Sequence, residues 1–440
     1  MELLVTTSDN PVPSRLHAPR HRLLPPERPP VPGASYRSRK IRRTLTASAL
    51  FAAGALVLSG CGGDGSAGSG DGKNGAGAKD GSGIRITVSS KDGATNAGLN
   101  GARVQVSGGT LTEVKLTAAE SGKEVAGAMA PGGASWKPSV QLERGTKYKI
   151  VANAKDAKGR SATENATFTT VSSANSFIGT YTPDNGKTVG VGMPVSFNFD
   201  KVITNKKDVQ SHIKVTSSSG QQVVGHWFGA QRLDFRPAEY WKAGSKVTME
   251  IDLDGVKGGN GITGVQSKTV TFTVGRSQVS TVDMNTQMMT VKRDGKTIKS
   301  IPISGGSPDN PTYNGQMVIS EKFEQTSMDG STVGFKNPED SYIIPDVPHA
   351  MRLSTSGTFL HGNYWGSPSV FGKAGTSHGC IGLRDVQGGG DGTPGKWFFD
   401  QSLVGDVVVV KNSPEQTVKP DNGLNGWNLP WNAWQAGSAL

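Results

Sequence analysis

From Ile84 onward the hydrophobic positions come in short runs at period two, broken by Gly, Asp and Asn. Ile84, Ile86 and Val88 open the pattern, and it continues through Val104 and Val106, then Tyr148, Ile150 and Ala152, then Ala166 and Phe168. Alternation of this kind places one face of each segment in a core and the other in water, which predicts an antiparallel β-sandwich over residues 84–173. A second series follows over 174–276, with Val189, Val191, Met193, Val195, Phe197 and Phe199 alternating without a break, and it predicts a second sandwich. Two histidines in this stretch, His212 and His226, read as ordinary strand or loop residues. Trp227, Tyr240 and Trp241 read as packing residues rather than a glycan platform. Residues 277–412 stay β-rich, with Met289–Lys292, Lys299–Ile303 and the buried run Val407–Val410 as strands, and Pro394–Leu403 is the one good helix candidate. The fold class expected is therefore mostly β, with two tandem sandwiches ahead of a β-rich third domain carrying a short helix. The last stretch, 413–440, is loop-like yet carries Trp427, Trp431 and Trp434; that much aromatic surface is expected to dock on the third domain.

The N-terminal region lacks this patterning. Residues 1–43 hold nine Lys and Arg against three Asp and Glu, so about half of the chain's net charge of +11 lies there. Arg39-Lys40-Ile41-Arg42-Arg43 precedes the uncharged run Thr44–Gly60, which is too short and too rich in Gly and Ala for a convincing membrane span. A positive segment, a short apolar run and small residues before Cys61 describe an export signal over 1–60. Residues 61–83 contain Gly, Ser, Ala, Asp and Lys with no large apolar side chain, and read as a flexible tether. The remaining positive charge is mild, and no nucleic-acid-binding motif accompanies it.

The chain has two cysteines, Cys61 and Cys380. If Cys61 is used at the export site, Cys380 has no partner within the chain, and a lone thiol in an oxidising compartment calls for a chemical role. Cys380 lies in His361–Arg384, HGNYWGSPSVFGKAGTSHGCIGLR, where His378 stands two residues before it. In extended backbone, residues two apart share a face, so the imidazole is expected beside the sulfur, where it favours the reactive thiolate. Small neighbours at Gly379 and Gly382 leave backbone N–H groups open to a developing oxyanion. On residue types alone, metal ligation by His361, His378 and Cys380, or a buried structural thiol, stays open.

A His-Gly pair, a spacer of fourteen residues and then Ser377-His378-Gly379-Cys380-Ile381 closely resembles the signature of L,D-transpeptidases of the YkuD type. The two sandwiches then resemble the tandem Ig-like domains that precede this catalytic domain in actinobacterial members, and Leu58-Ser59-Gly60-Cys61 resembles a lipobox. The resemblance implies a peptidoglycan cross-linking acyltransferase without cofactor or metal. In it Cys380 is the nucleophile, His378 the base, and Ser377 and Gly379 orient the imidazole or offer backbone donors. His361, Gly362 and Trp365 would form the opposite wall of the substrate pocket, with Met328 and Tyr342 lining the donor side; in the polar, turn-rich stretch Lys322–Tyr342, Met328–Thr332 resembles the start of the flap over that crevice. The partners implied are donor and acceptor stem peptides, carbapenem-type inhibitors, and a membrane reached through lipid on Cys61. One position departs from the signature. Many members carry Asn two residues after the cysteine where this chain has Gly382, so that contact is absent or comes from elsewhere, with Arg384 a candidate. The competing reading is a wall-binding lipoprotein whose last domain is inert.

Overall fold

A computed structural model describes residues 83–333 and 342–440. The expected export segment, Cys61, nearly all of the expected tether and residues 334–341 of the Lys322–Tyr342 stretch lie outside the described residues.

The period-two runs form strands that face each other across two cores. In the first module a four-stranded sheet (Arg85–Val88, Val104–Ser107, Ser135–Pro138 and Gly127–Met129, in that order) packs on a three-stranded sheet of Thr110–Ala118, Lys147–Lys155 and Ser161–Thr169. Along Lys147–Lys155, buried Tyr148, Ile150, Ala152 and Ala154 alternate with exposed or half-buried neighbours, so burial follows the sequence pattern. The second module has two four-stranded sheets and a small three-stranded one around Phe177, Phe197, Phe199, Trp227, Trp241, Met249 and Phe272. Trp227 and Trp241 thus lie in this core, while Tyr240 packs edge-on against Trp427 at 4.8 Å.

The third domain is built on one curled sheet. Its strands are β1 (Gln278–Asp283), β2 (Met288–Arg293), β3 (Lys296–Ser304), β4 (Gly315–Val318), β5 (Glu321–Asp329), β6 (Ile343–Arg352), β7 (Phe359–Asn363), β8 (Ile381–Arg384) and β9 (Val407–Lys411). Among the described residues the order across this nine-stranded sheet is β4-β9-β1-β2-β3-β8-β7-β6-β5. β9 lies between β4 and β1 and is covered on both faces, Val408 and Val410 lying in the core of this domain while Val407 packs on Gly192 of the second module, which accounts for the uninterrupted apolar run Val407–Val410. β7 and β8 run parallel with His361 opposite Gly382, so the two halves of the His361–Arg384 segment lie side by side. Helix α1 (Pro394–Gln401) starts where Thr393 Oγ1 accepts the Lys396 N–H at 3.1 Å with Pro394 in its first turn, and it buries Phe398 and Phe399.

The C-terminal tail does not stay on the third domain as expected. It first follows that domain, where Asn425 Nδ2 donates to Leu353 O at 2.9 Å and Asn428 Nδ2 donates to Gln316 O at 2.8 Å. It then crosses to the second module: Trp427 Nε1 donates to Gly192 O at 2.7 Å and Trp434 Nε1 donates to Val224 O at 2.9 Å. There the short helix Trp431–Ala436 stacks Trp434 on His226, with ring centroids 4.8 Å apart. The guanidinium of Arg236 lies 4.7 Å from the Trp427 ring and 4.3 Å from the Trp434 ring, so a buried cation from the second module fills the aromatic cage that the tail supplies.

Candidate active site

β8 begins at Ile381; Ser377 makes an isolated parallel bridge to Gly306, and the backbone bends at His378 and Gly379 before the strand. The backbone turns at Gly379, whose φ of +101° is a conformation L side chains rarely adopt. This corrects the reason expected for the nearness of His378 and Cys380: a glycine turn, and not strand alternation, sets their relation. Ser377 fastens the turn. Its Oγ donates to Cys380 O at 2.6 Å and accepts the Gly379 N–H at 3.2 Å, so that N–H is already used and is not open to an oxyanion. Ser307 N donates to Ser377 O at 2.8 Å, which ties the turn to the loop after β3.

Cys380 forms part of the wall of a cavity of about 480 Å³. Ser377, His378, His361, Trp365, Tyr342 and Met328 also line it, so these dispersed residues meet around one sulfur. Gly362 and Gly379 do not line this cavity; Gly379 lines a smaller, more polar one of about 240 Å³ on the other side of His378 and Tyr342. The Tyr342 and His378 rings lie 4.9 Å apart, and the His361 ring is stacked on Trp365 at 5.5 Å. β5 and β6, which carry Met328 and lead away from Tyr342, pair with each other at the sheet edge and form one side of the cavity.

The electrostatics differ from the sequence expectation. Burial pushes the Cys380 thiol up to about 11, opposed only in part by the Phe359 N–H that reaches Sγ at 3.4 Å. Cys380 Sγ in turn donates to Gly357 O at 3.5 Å, so the resting sulfur is a protonated thiol held between backbone groups. Burial lowers His361, whose Nδ1 lies 3.0 Å from Gly362 O, and Tyr342 is pushed up to about 12, chiefly by burial. Among the described residues no group of three His, Cys, Asp or Glu is gathered to hold a metal ion.

Three further residues lie in or directly behind the cavity wall and were not read from the sequence. Asn363 lines the cavity two residues after His361, on the same face of β7. Its side chain fills the space over Gly382, where an added Cβ would stand 3.1 Å from Asn363 Nδ2. Arg384, the substitute expected for the missing Asn, is exposed and does not line the cavity. Behind β7, on the side away from the cavity, lies a buried pair: His349 Nδ1 is 2.7 Å from Asp385 Oδ2. No spacing rule points to these residues, because β6, β7 and β8 become neighbours only when the sheet forms.

The Bacterial Ig domain family matches residues 96–257, and the L,D-transpeptidase catalytic domain family, YkuD, matches residues 277–410. L,D-transpeptidase 2 of Mycobacterium tuberculosis is 32% identical over 356 residues, covering 81% of this chain and 85% of that protein. The chain belongs to the YkuD family of L,D-transpeptidases. L,D-transpeptidase 5 of the same organism is 28% identical over 77% of this chain and 73% of its own length. A solved structure of L,D-transpeptidase 3 from Mycobacterium tuberculosis, in complex with a faropenem-derived adduct, is 25% identical over 55% of this chain and 100% of its own, with a TM-score of 0.43. As a YkuD enzyme with an N-terminal bacterial Ig region, the protein is a cysteine transpeptidase of peptidoglycan, a cell-wall substrate.

Proposed function

We propose that Cys380 carries the acyl group in this L,D-transpeptidation, with His378 as the proton carrier. The observation that bears the reading is the meeting of Cys380, His378, His361, Trp365, Tyr342 and Met328 around one cavity. In the first half-reaction the sulfur attacks the carbonyl that links the third residue of a tetrapeptide stem to its terminal D-Ala, and His378 takes the thiol proton. The C–N bond then breaks, a thioester remains on Cys380, and the proton passes from His378 to the departing D-Ala amine. In the second, a side-chain amine of another stem attacks the thioester carbonyl and gives its proton to His378. The C–S bond breaks, the proton returns to sulfur, and a third-to-third-residue cross-link is released.

A thiol near 11 keeps its proton at neutral pH. Proton removal therefore belongs to the attack itself rather than to a standing thiolate, which assigns the base a role in the transition state. Ser377 and Gly379 hold the turn, while His361, with Trp365 stacked on it, positions the donor stem. The strained carbonyl of a carbapenem enters the same reaction and stops at the acyl-enzyme. Intact-mass spectrometry with meropenem is expected to show one adduct per chain that disappears in Cys380→Ala; an adduct that persists in this variant overturns the assignment of the nucleophile.

The exported chain is anchored by lipid on Cys61. Support comes from the charged segment, the apolar run and Leu58–Cys61. None of the helices among the described residues is long and apolar enough to cross a membrane. In detergent phase separation the native protein is expected in the detergent phase and Cys61→Ser in the aqueous phase; equal partition of the two removes the anchor.

A further inference from the structure

The His349–Asp385 pair is buried, lies against the catalytic strands, and has no part in the proton transfers described above. The side chains are 4% and 0% exposed, so the contact is not a surface ion pair. Asp385 is satisfied on every side: Oδ1 accepts from Val386 N at 2.9 Å, Thr393 Oγ1 at 3.0 Å and Gly390 N at 3.4 Å, and Oδ2 faces His349 Nδ1 at 2.7 Å. His349 reaches it from a left-handed backbone conformation, with φ +51° in the middle of β6, which a non-glycine residue adopts at a cost when the surroundings demand it.

This network bears directly on β7. Asp385 N donates to Asn363 O at 3.2 Å, and the carboxylate lies against the Cα of Gly362 so closely that any side chain there would collide with Oδ2. Gly395 in α1 packs on the same oxygen and likewise leaves no room for a side chain. Residue 362 lies between His361 and Asn363, and strand alternation turns those two side chains into the cavity while Gly362 faces the carboxylate. One carboxylate thus fixes β6, β7, the end of β8 and the start of α1 at the point where β7 enters the substrate pocket.

We propose that Asp385, oriented by His349, is a positioning residue for transpeptidation, setting the place of the strand end that carries His361 and Asn363 into the cavity. The proposal rests on the reading of that cavity as the stem-peptide site. A misplacement of about 1 Å at a reacting geometry costs on the order of 10²-fold in rate, so loss of the hydrogen bond is expected to appear in turnover beyond its effect on stability.

The test compares two substitutions of His349 in the full chain that separate donor from ring. His349→Asn keeps an N–H close to the place of Nδ1 and suits a left-handed backbone, but loses the ring packed 5.3 Å from Phe399. His349→Phe keeps a ring and loses the donor. Expected is a lower Tm for His349→Asn with kcat/KM on a tetrapeptide donor within threefold of the parent, and a fall of at least tenfold in kcat/KM for His349→Phe. Alkylation of Cys380 by iodoacetamide, which needs no stem pocket, is expected to stay within twofold in both. Should His349→Phe fail to fold, Thr393→Val and Thr393→Ser pose the same question on the other oxygen, Thr393→Ser keeping the hydroxyl donor and the parent's kcat/KM and Thr393→Val losing both. The proposal is overturned if kcat/KM follows Tm across these variants, or if the variants lacking the donor retain parental turnover. Loss of Cys380-dependent turnover in the parent itself would instead strike the functional reading.

Discussion

At the scale of single residues, the sulfur's environment sets the pH behaviour. A free thiol titrates near 8.5, and burial carries Cys380 up to about 11. The thiolate form is therefore scarce below that value, and the iodoacetamide rate is expected to keep rising between pH 8 and 10 without a plateau near 8.5; a plateau there would show a sulfur less buried than described. The same shift is linked to stability. The folded state holds this proton more tightly than the unfolded state, so the contribution is fully present below about 8.5 and is lost as pH rises through about 11. Cys380→Ala is expected to remove that part of the alkaline destabilisation, as read by denaturant melts at pH 7 and pH 10. His378→Ala is expected to slow acylation by about 10²–10⁴-fold, the usual contribution of a positioned acid–base group. Its alkylation curve against pH should nevertheless follow the parent's, since burial and not the imidazole dominates the resting thiol. A curve displaced by this substitution would assign His378 a standing role in thiolate formation.

At the scale of elements, the turn before β8 matters more than the strand. Gly379 has open space around its Cα, with the nearest atom to an added Cβ at 3.7 Å, but its φ of +101° excludes an L side chain without strain. Gly379→Ala is therefore expected to cost about 1–2 kcal/mol through backbone strain alone. It should lower kcat/KM more than that loss of stability explains, because Ser377, His378 and Cys380 all hang from the turn. Thermal melts and stem-peptide kinetics on one preparation test this, and a normal kcat/KM would show that the turn tolerates displacement. The neighbouring Gly382 presents the opposite case. Its φ is ordinary, and a side chain there meets Asn363 and Ser304 O at 3.1–3.4 Å, so the limit is space rather than conformation.

At the scale of the whole molecule, the second module and the catalytic domain are joined by a continuous seam. Gly192 N donates to Gly405 O and Gly190 N to Val404 O, both at 2.8 Å, and Arg276 meets buried Asp406 through two hydrogen bonds of 2.9 Å. The tail closes the same seam, with Trp434 fully buried and Arg236 enclosed among its tryptophans. Burial lowers the Arg236 guanidinium to about 10, so the aromatic faces and the carbonyls of Pro237 and Leu429 compensate its desolvation only in part. Trp434→Ala is expected to cost about 3–5 kcal/mol at a site this buried, and to release residues 430–440 to limited proteolysis while leaving the Cys380 meropenem adduct intact. Undiminished protease resistance would show that the rest of the seam holds the tail without its anchor.

The mostly β architecture was legible in the sequence because alternation at period two is a local property: Val195, Phe197 and Phe199 announce a half-buried strand whatever they pack against. The uninterrupted run Val407–Val410 likewise announced a strand covered on both faces. The chemistry of Ser377–Cys380 was legible for a similar reason, since its residues are contiguous. What the sequence could not supply was anything set by neighbours distant along the chain. The rise in the Cys380 thiol comes from the walls around it, and the filling of the space over Gly382 comes from Asn363 on the adjacent strand. The partnership of His349 with Asp385 spans 36 residues and exists only because β6, β7 and β8 lie side by side. The tail's course onto the second module was decided in the same way. Three tryptophans call for burial wherever apolar surface is offered, and only the folded molecule places Arg236 and the groove beside Val224 within their reach.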